Sequence, residues 1–288
     1  MKTVEITYRY GMPSVSPRPR PSSAAAARVR LNEGNRTFAA LLKGLAEDDA
    51  GTVSRIVEID ARDLGIQADQ RGQPSQLPFA AVLGCSDARV PIELIFNEGP
   101  NDLFVVRVAG NGLGNDVLGS LRYAVEHLRE SLRLVVILGH SGCGALTAAV
   151  DIFLEPAEYL PLVADHALRN ILDRQLIAVQ ASARKLTNTF GPDVVKHAGY
   201  REALTETAIV MNAALTAHAV QQELRSFDPH ELRAVYGVYL LQSHEIWAPA
   251  RHLTKDNGLA EPPADLASFI ELNAAIVGSD RIASLLAG

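Results

Sequence analysis

Both cysteines of this 288-residue chain stand among residue types that bind metal ions. Cys85 opens the segment Cys-Ser-Asp-Ala-Arg, and Cys143 follows His140 in the segment Gly-His-Ser-Gly-Cys-Gly. Thiolate and imidazole are common zinc ligands, and three protein ligands with a fourth position open are typical of catalytic zinc. A lone cysteine is usually a small buried hydrophobic residue, but the two segments together favour a shared ion. We therefore predict that Cys85, His140 and Cys143 bind one Zn²⁺.

Two charged residues beside the first cysteine suit acid–base chemistry at such an ion. An arginine that binds a carboxylate through two hydrogen bonds orients it. Held by Arg89 in this way, Asp87 could accept a proton from metal-bound water or become the fourth ligand itself. An ordinary surface ion pair is the simpler alternative. Because Cys85 lies two residues before Asp87, we predict that Asp87 and Arg89 are catalytic residues.

Each cysteine lies just after a short apolar run of the kind that forms a buried strand, Cys85 directly and Cys143 four residues beyond Gly139. Such runs, separated by glycine and by helical stretches, are typical of a parallel sheet that is covered on both faces. Apolar residues at helical spacing between residues 118 and 128 predict a crossover helix. The sequence therefore predicts an α/β fold with a mainly parallel central sheet flanked by helices. The four predicted strands are residues 79–84, 103–108, 134–139 and 234–241.

The predicted sheet explains how residues far apart in sequence could form one site. Open α/β sheets bind their ligands at the carboxyl ends of the strands. Cys85 and the segment 139–144 both begin at such an end, so they meet if their two strands are neighbours. The glycines at positions 139, 142 and 144 allow the second segment to turn tightly.

We divide the chain into an N-terminal arm or leader at residues 1–30 and a single domain at residues 31–288. Residues 12–30 combine proline, serine and arginine without an acidic residue, which favours a surface arm; a transit peptide is the alternative. Residues 4–8 have the composition of a strand, and the alanines from Ala24 onward favour a helix that ends near Gly44 or Gly51. Apolar residues at helical spacing make 145–233 a long, mainly helical section, and they predict a further helix from Leu266.

The composition narrows the class of protein. Hydrophobic residues make up 48% of the chain and charged residues 21%, as in ordinary globular proteins. A formal net charge of −6 argues against a nucleic-acid or anionic-membrane partner, and no apolar run reaches the ~20 residues of a membrane span. Two cysteines are too few for a disulfide scaffold of this size. We expect a cytoplasmic protein that acts on a small molecule.

The two motifs can be compared with a known family. The segment Cys85-Ser-Asp-Ala-Arg-Val-Pro, taken with 139–144, resembles the signature motifs of β-class carbonic anhydrases. The resemblance extends from about Gln76 to Thr147, and includes the segments 102–111 and 123–125. Ala88 stands where many members have serine, and the section 145–233 is longer than in compact members. The segment 95–99 is closer to members with an open zinc-water site.

The resemblance implies a function and an assembly. It implies reversible hydration of carbon dioxide to bicarbonate and a proton by attack of zinc-bound hydroxide, in a homodimer or dimer-based oligomer with active sites near the dimer interface. Gln76 would hydrogen-bond the substrate, and Phe104 and Tyr123 would line an apolar pocket that confines carbon dioxide. The backbone N–H of Gly144, near a helix start, could hold developing negative charge.

Three other functions remain open at this point. Relatives with the same zinc site hydrolyse carbonyl sulfide or carbon disulfide, and the motifs do not separate such similar substrates. A non-catalytic zinc protein used for assembly would not need Asp87 and Arg89. A redox pair of Cys85 and Cys143 would bind no zinc.

Overall fold

A computed structural model describes residues 2–12, 18–46, 51–64, 75–163, 165–227, 232–249 and 258–287. A central sheet of five strands runs in the order β4-β3-β5-β6-β7; β3 to β6 are parallel, and β7 is antiparallel to β6. The predicted α/β fold with a mainly parallel sheet is confirmed. The strands are β1 (Thr3–Gly11), β2 (Thr52–Asp60), β3 (Ala80–Gly84), β4 (Leu103–Arg107), β5 (Leu134–His140), β6 (Arg233–Tyr239) and β7 (Ile246–Trp247).

Helices cover both faces of the central sheet. Alternate residues of β3 are buried on opposite sides, with Ala81 and Leu83 in one core layer and Ala80 and Val82 in the other. The first layer packs against α3 (Asn115–His127), α4 (Gly144–Leu154), α5 (His166–Phe190), α6 (Tyr200–Phe227), α7 (Leu266–Val277) and α8 (Asp280–Ala283), and the second against α1 (Ala24–Lys43) and α2 (Ile92–Ile95). The predicted crossover helix, helical section and C-terminal helix are thus confirmed. Within the described ranges, no helix has the length and hydropathy needed to cross a bilayer.

The strand order brings the two predicted motifs together. β3 and β5 are neighbours, and their parallel register places Gly84 opposite Leu138. Cys85 and the residues after Gly139 therefore leave the sheet at the same edge. This adjacency was the condition on which the predicted site depended.

The N-terminal region differs from the predicted arm. Helix α1 begins at Ala24, where Ser23 accepts a hydrogen bond from the backbone N–H of Ala26, and Ala27 and Leu31 are fully buried in the core. A boundary at residue 31 is therefore misplaced, because it cuts a helix whose first turns are part of the domain. The predicted strand at 4–8 lies within β1, which pairs in parallel with the unpredicted β2. Residues 13–17 of the predicted arm lie outside the described residues.

Buried ion pairs bind this N-terminal region to the segment before β4. Glu98, which is 1% exposed, contacts the guanidinium groups of both Arg18 and Arg30. The same two arginines reach Asp102, at 3.2 and 3.3 Å respectively. Removing one partner from such a group leaves buried charge without compensation.

We expect Glu98→Gln to lower the free energy of unfolding by about 3 kcal/mol, since it leaves two arginines beside a single carboxylate. Urea denaturation followed by circular dichroism measures this change. Glu58→Gln is the matched control, because Glu58 pairs with Arg9 at 3.4 Å on the exposed surface, where a pair contributes less than about 1 kcal/mol. Equal losses in the two variants would contradict the prediction.

Candidate metal centre

The three predicted metal ligands meet where β3 and β5 end. One ligand atom from each of Cys85, His140 and Cys143 lies within 4.8 Å of the other two. The three residues are 5%, 0% and 1% exposed, respectively. Each is placed by a regular element, since Cys85 follows β3, His140 ends β5 and Cys143 caps the start of α4. The backbone thus brings two sulfurs and one imidazole together at a single buried site.

The imidazole of His140 has one nitrogen ready for a ligand bond. Its Nδ1 lies 3.0 Å from the carbonyl oxygen of Ser141, which assigns the ring proton to Nδ1 and leaves the lone pair on Nε2. His140 Nε2 is buried and has no hydrogen-bond partner among the described residues. An unsatisfied buried polar atom costs about 1–3 kcal/mol. Two sulfurs and a free imidazole nitrogen fit a metal ion with affinity for such donors.

The pKa values of the two thiols are shifted in opposite directions. Contact with Cys143 lowers the pKa of Cys85 to about 4, and the N–H of Gly110, 3.3 Å from the sulfur, acts in the same direction. Contact with Cys85 and burial raise the pKa of Cys143, although the amides of Ala145 and Leu146 partly oppose this. Cys85 therefore loses its proton easily, and Cys143 keeps its proton. A bound cation would displace the second proton, as metal binding to thiols requires.

An ionised carboxylate lies at the edge of this cluster. Asp87 accepts two side-chain hydrogen bonds from Arg89, at 2.6 and 3.0 Å, and one from the Arg89 backbone at 2.9 Å. These hydrogen bonds hold the pKa of Asp87 well below its usual range. One Asp87 oxygen is 3.8 Å from His140 Nε2. A negatively charged acceptor with a fixed orientation therefore lies beside the free nitrogen.

Arg107 fixes the segment that carries Cys85 and Asp87. It is the last residue of β4, opposite Gly84 in the sheet register. Its guanidinium donates to the Cys85 carbonyl at 3.0 Å and to the Asp87 carbonyl at 2.6 Å. Arg107 is not among the predicted site residues, because only the register of two parallel strands places it beside this segment.

Comparison with known proteins bears directly on this site. The profile of the family described as "Carbonic anhydrase" matches residues 80–238, more than half of the chain and every residue of the cluster. The chain belongs to the β-carbonic anhydrase family. It is 45% identical over 87 residues to a carbonic anhydrase of Mycolicibacterium smegmatis and 49% identical over 75 residues to carbonic anhydrase 2 of Mycobacterium tuberculosis.

These matches cover part of each related protein. They span 30% and 26% of this chain, and 41% and 35% of the two mycobacterial proteins. A carbonic anhydrase of Synechococcus elongatus is 27% identical over 197 residues, 66% of this chain and 67% of that protein. The solved Coccomyxa β-carbonic anhydrase in complex with acetazolamide is 21% identical at a TM-score of 0.48, and covers 74% of this chain and 82% of its own.

Gln76 lies at the far end of β3 from the metal centre. It is exposed, in the segment that leads into β3, next to Leu77, which hydrogen-bonds Asn101 before β4. Five residues of β3 separate this end from Cys85, about 16 Å at ~3.3 Å per residue. Within one chain, Gln76 therefore does not reach the cluster, and the predicted substrate contact needs a second copy.

The other predicted substrate residues are placed differently. Phe104 is partly buried on β4 and packs on the core layer that includes Cys85. Tyr123 is 49% exposed on α3 and stacks on His127 at 4.3 Å between ring centroids. Gly144 is exposed and opens α4 directly after Cys143. Of these three, only Gly144 adjoins the ligand cluster in sequence, and the roles of all three residues stay predictions.

A buried glutamine beside the ligand loops was not predicted. Gln175 of α5 is fully buried, and neither of its amide atoms has a hydrogen-bond partner among the described residues. A Cβ built on Gly110 would lie 2.0 Å from Gln175 Nε2 and 3.1 Å from the Ala145 Cβ. The available signal was a polar residue on the apolar face of α5, three residues after Leu172 and four before Val179.

Proposed function

We propose that this chain is a zinc-dependent carbonic anhydrase, which reversibly hydrates carbon dioxide to bicarbonate and a proton. The observation that carries the proposal is the buried cluster of Cys85, His140 and Cys143 with the oriented carboxylate of Asp87 3.8 Å from the free imidazole nitrogen. Zinc held by these three residues would acidify a water molecule, an effect for which carbonic anhydrases with three histidine ligands are the standard example.

In this proposal, Asp87 accepts a hydrogen bond from the attacking water and aims its oxygen at carbon dioxide. Arg89 keeps Asp87 ionised and in place through its two side-chain hydrogen bonds. Arg107 holds the backbone of Asp87 in a fixed position relative to Cys85, because it donates hydrogen bonds to the carbonyl oxygens of both residues. The N–H of Gly144, in the first turn of α4, helps to hold negative charge that develops on the substrate.

Assembly forms part of the same proposal. Tyr123 is exposed and Gln76 lies at the opposite sheet edge, so both would act on a substrate only across an interface with a second copy. The support for a homodimer or dimer-based oligomer is therefore the position of these residues together with the family resemblance. A cytoplasmic location remains a prediction.

Stopped-flow hydration of carbon dioxide on metal-quantified protein tests the proposed function. We expect a rate proportional to zinc content, lost on treatment with a chelator and restored by zinc, because the acidified water depends on the ion. Carbonyl sulfide hydrolysis, measured in parallel, is expected to be slower. Hydrolysis of carbonyl sulfide without hydration of carbon dioxide would assign the site to the other substrate, and zinc-loaded protein inactive on both would overturn an enzymatic role.

A further inference from the structure

Gly142, between the ligands His140 and Cys143, is held by a carboxylate from a distant helix. The N–H of Gly142 donates to Glu206 Oε1 at 2.8 Å across 64 residues of sequence. The Glu206 side chain on α6 is only 9% exposed. Gly142 has a φ of 61°, the left-handed conformation that favours glycine. The loop between two ligands thus depends on a hydrogen bond from outside the metal centre.

The second oxygen of Glu206 connects this loop to the C-terminal region. Glu206 Oε2 forms an ion pair with Arg281 of α8, and α8 is anchored in the core by the fully buried Ile282. Arg281 also neutralises Glu206. Gly142 therefore gains a strong charge-assisted acceptor without uncompensated negative charge near two sulfur ligands.

Glu206 holds the middle of a loop whose two ends are already fixed. The N–H of Ser141 donates to the Tyr239 carbonyl of β6 at 3.0 Å, and the Cys143 carbonyl accepts from the first turn of α4 at 2.9 Å. Between these anchors, Gly142 is exposed, so its N–H could turn to water if Glu206 were removed. The loop would keep its ends and lose the restraint that sets the angle between its two ligands.

We propose that Glu206 is a positioning residue for the metal centre. By fixing Gly142 it sets the direction in which His140 and Cys143 present their ligand atoms, and Arg281 holds its carboxylate in place. The proposal rests on the proposed function in taking the bound ion to be zinc. It gives part of the long helical section a purpose at the site, since α6 supplies the carboxylate.

Zinc release to a chromogenic chelator tests this assignment. We expect Glu206→Ala to release zinc about 10–100-fold faster than the wild type, the range in which residues around metal ligands affect binding. The thiolate-to-cobalt absorption of the Co²⁺-loaded protein should shift in the same variant, because the angle at Cys143 changes. In the double variant Glu206→Gln, Arg281→Met, the amide oxygen still accepts from Gly142, so release should return toward the wild-type rate.

Asp151→Ala is the matched control for a general loosening of helices. Asp151 pairs with Arg201 at 2.6 and 2.7 Å, which joins α4 to α6 without touching the ligand loop. Its zinc release should equal that of the wild type. The proposal is overturned by unchanged release in Glu206→Ala, by equal acceleration in Asp151→Ala, or by no recovery in the double variant. If Glu206→Ala does not fold, Arg281→Met alone must release zinc faster than the double variant.

Failure of this proposal can be told apart from failure of the proposed function. Zinc release is measured without turnover. A wild-type chain that retains zinc but does not hydrate carbon dioxide would overturn the enzymatic function. The role of Glu206 would then still be tested by the zinc release rates of its variants. A wild-type chain that binds no zinc would overturn both.

Discussion

Replacing Asp87 with asparagine is expected to lower kcat/KM for carbon dioxide hydration about 1000-fold, within the range for loss of a positioned acid–base group. Asparagine keeps the size of the side chain and an oxygen that can accept from Arg89. It loses the negative charge that accepts a hydrogen bond from the attacking water, and its amide N–H₂ presents donors in place of an acceptor. Because Asp87 is not one of the three predicted ligands, zinc content should stay near one ion per chain.

Asp151→Asn is the matched control for this substitution. Asp151 and Arg201 form a two-bond pair with distances close to those of Asp87 and Arg89, but Asp151 lies about 10 Å along α4 from Gly144, at 1.5 Å per residue. The control should retain wild-type turnover. Stopped-flow rates and zinc analysis on both variants test the catalytic role of Asp87. Full activity in Asp87→Asn would remove Asp87 from the mechanism.

The ligand set can be predicted from sequence because each part of it follows a recognisable strand. The apolar runs before Cys85 and His140 mark strand ends, and parallel strands place their carboxyl ends at one edge. Neither apolar run indicates whether the two strands are neighbours in the sheet. The structure supplies that fact through the β3–β5 register.

Residues that hold the ligands in place are harder to predict, because tertiary packing alone brings them there. Glu206 and Arg107 are ordinary charged residues in sequence, and each becomes specific only through a backbone group that it meets across the fold. Gln76 shows a different limit of the sequence, because its substrate role depends on a second copy of the chain and stays a prediction. Its motif position suggested substrate contact, but the direction of β3 places it at the wrong edge for its own metal centre.

The misplaced boundary at residue 31 has a related cause. Proline and arginine between residues 12 and 30 have the composition of an exposed arm, and buried arginines are rare unless paired. The partners Glu98 and Asp102 lie far along the chain, before β4. Composition reports average exposure, so it does not reveal a buried ion pair whose two halves are distant in sequence.

Replacing Cys143 with serine is expected to lower zinc affinity on the order of 1000-fold, beyond the 10–100-fold that residues around the ligands contribute. A serine hydroxyl remains protonated near neutral pH and is a poor zinc ligand compared with a thiolate. Carbon dioxide hydration should fall with zinc occupancy. Chelator competition followed by metal analysis measures the affinity.

Ser141→Ala separates ligand loss from loop disturbance in this experiment. Ser141 Oγ accepts a hydrogen bond from the N–H of Leu241 at 2.9 Å, so the control removes one restraint on the same loop and keeps all three ligands. Its zinc affinity should fall by no more than about 10-fold, the lower end for such surrounding contacts. If Cys143→Ser instead held zinc as tightly as Ser141→Ala, the ion would not be bound at this cluster, and the role of Asp87 beside it would lose its basis.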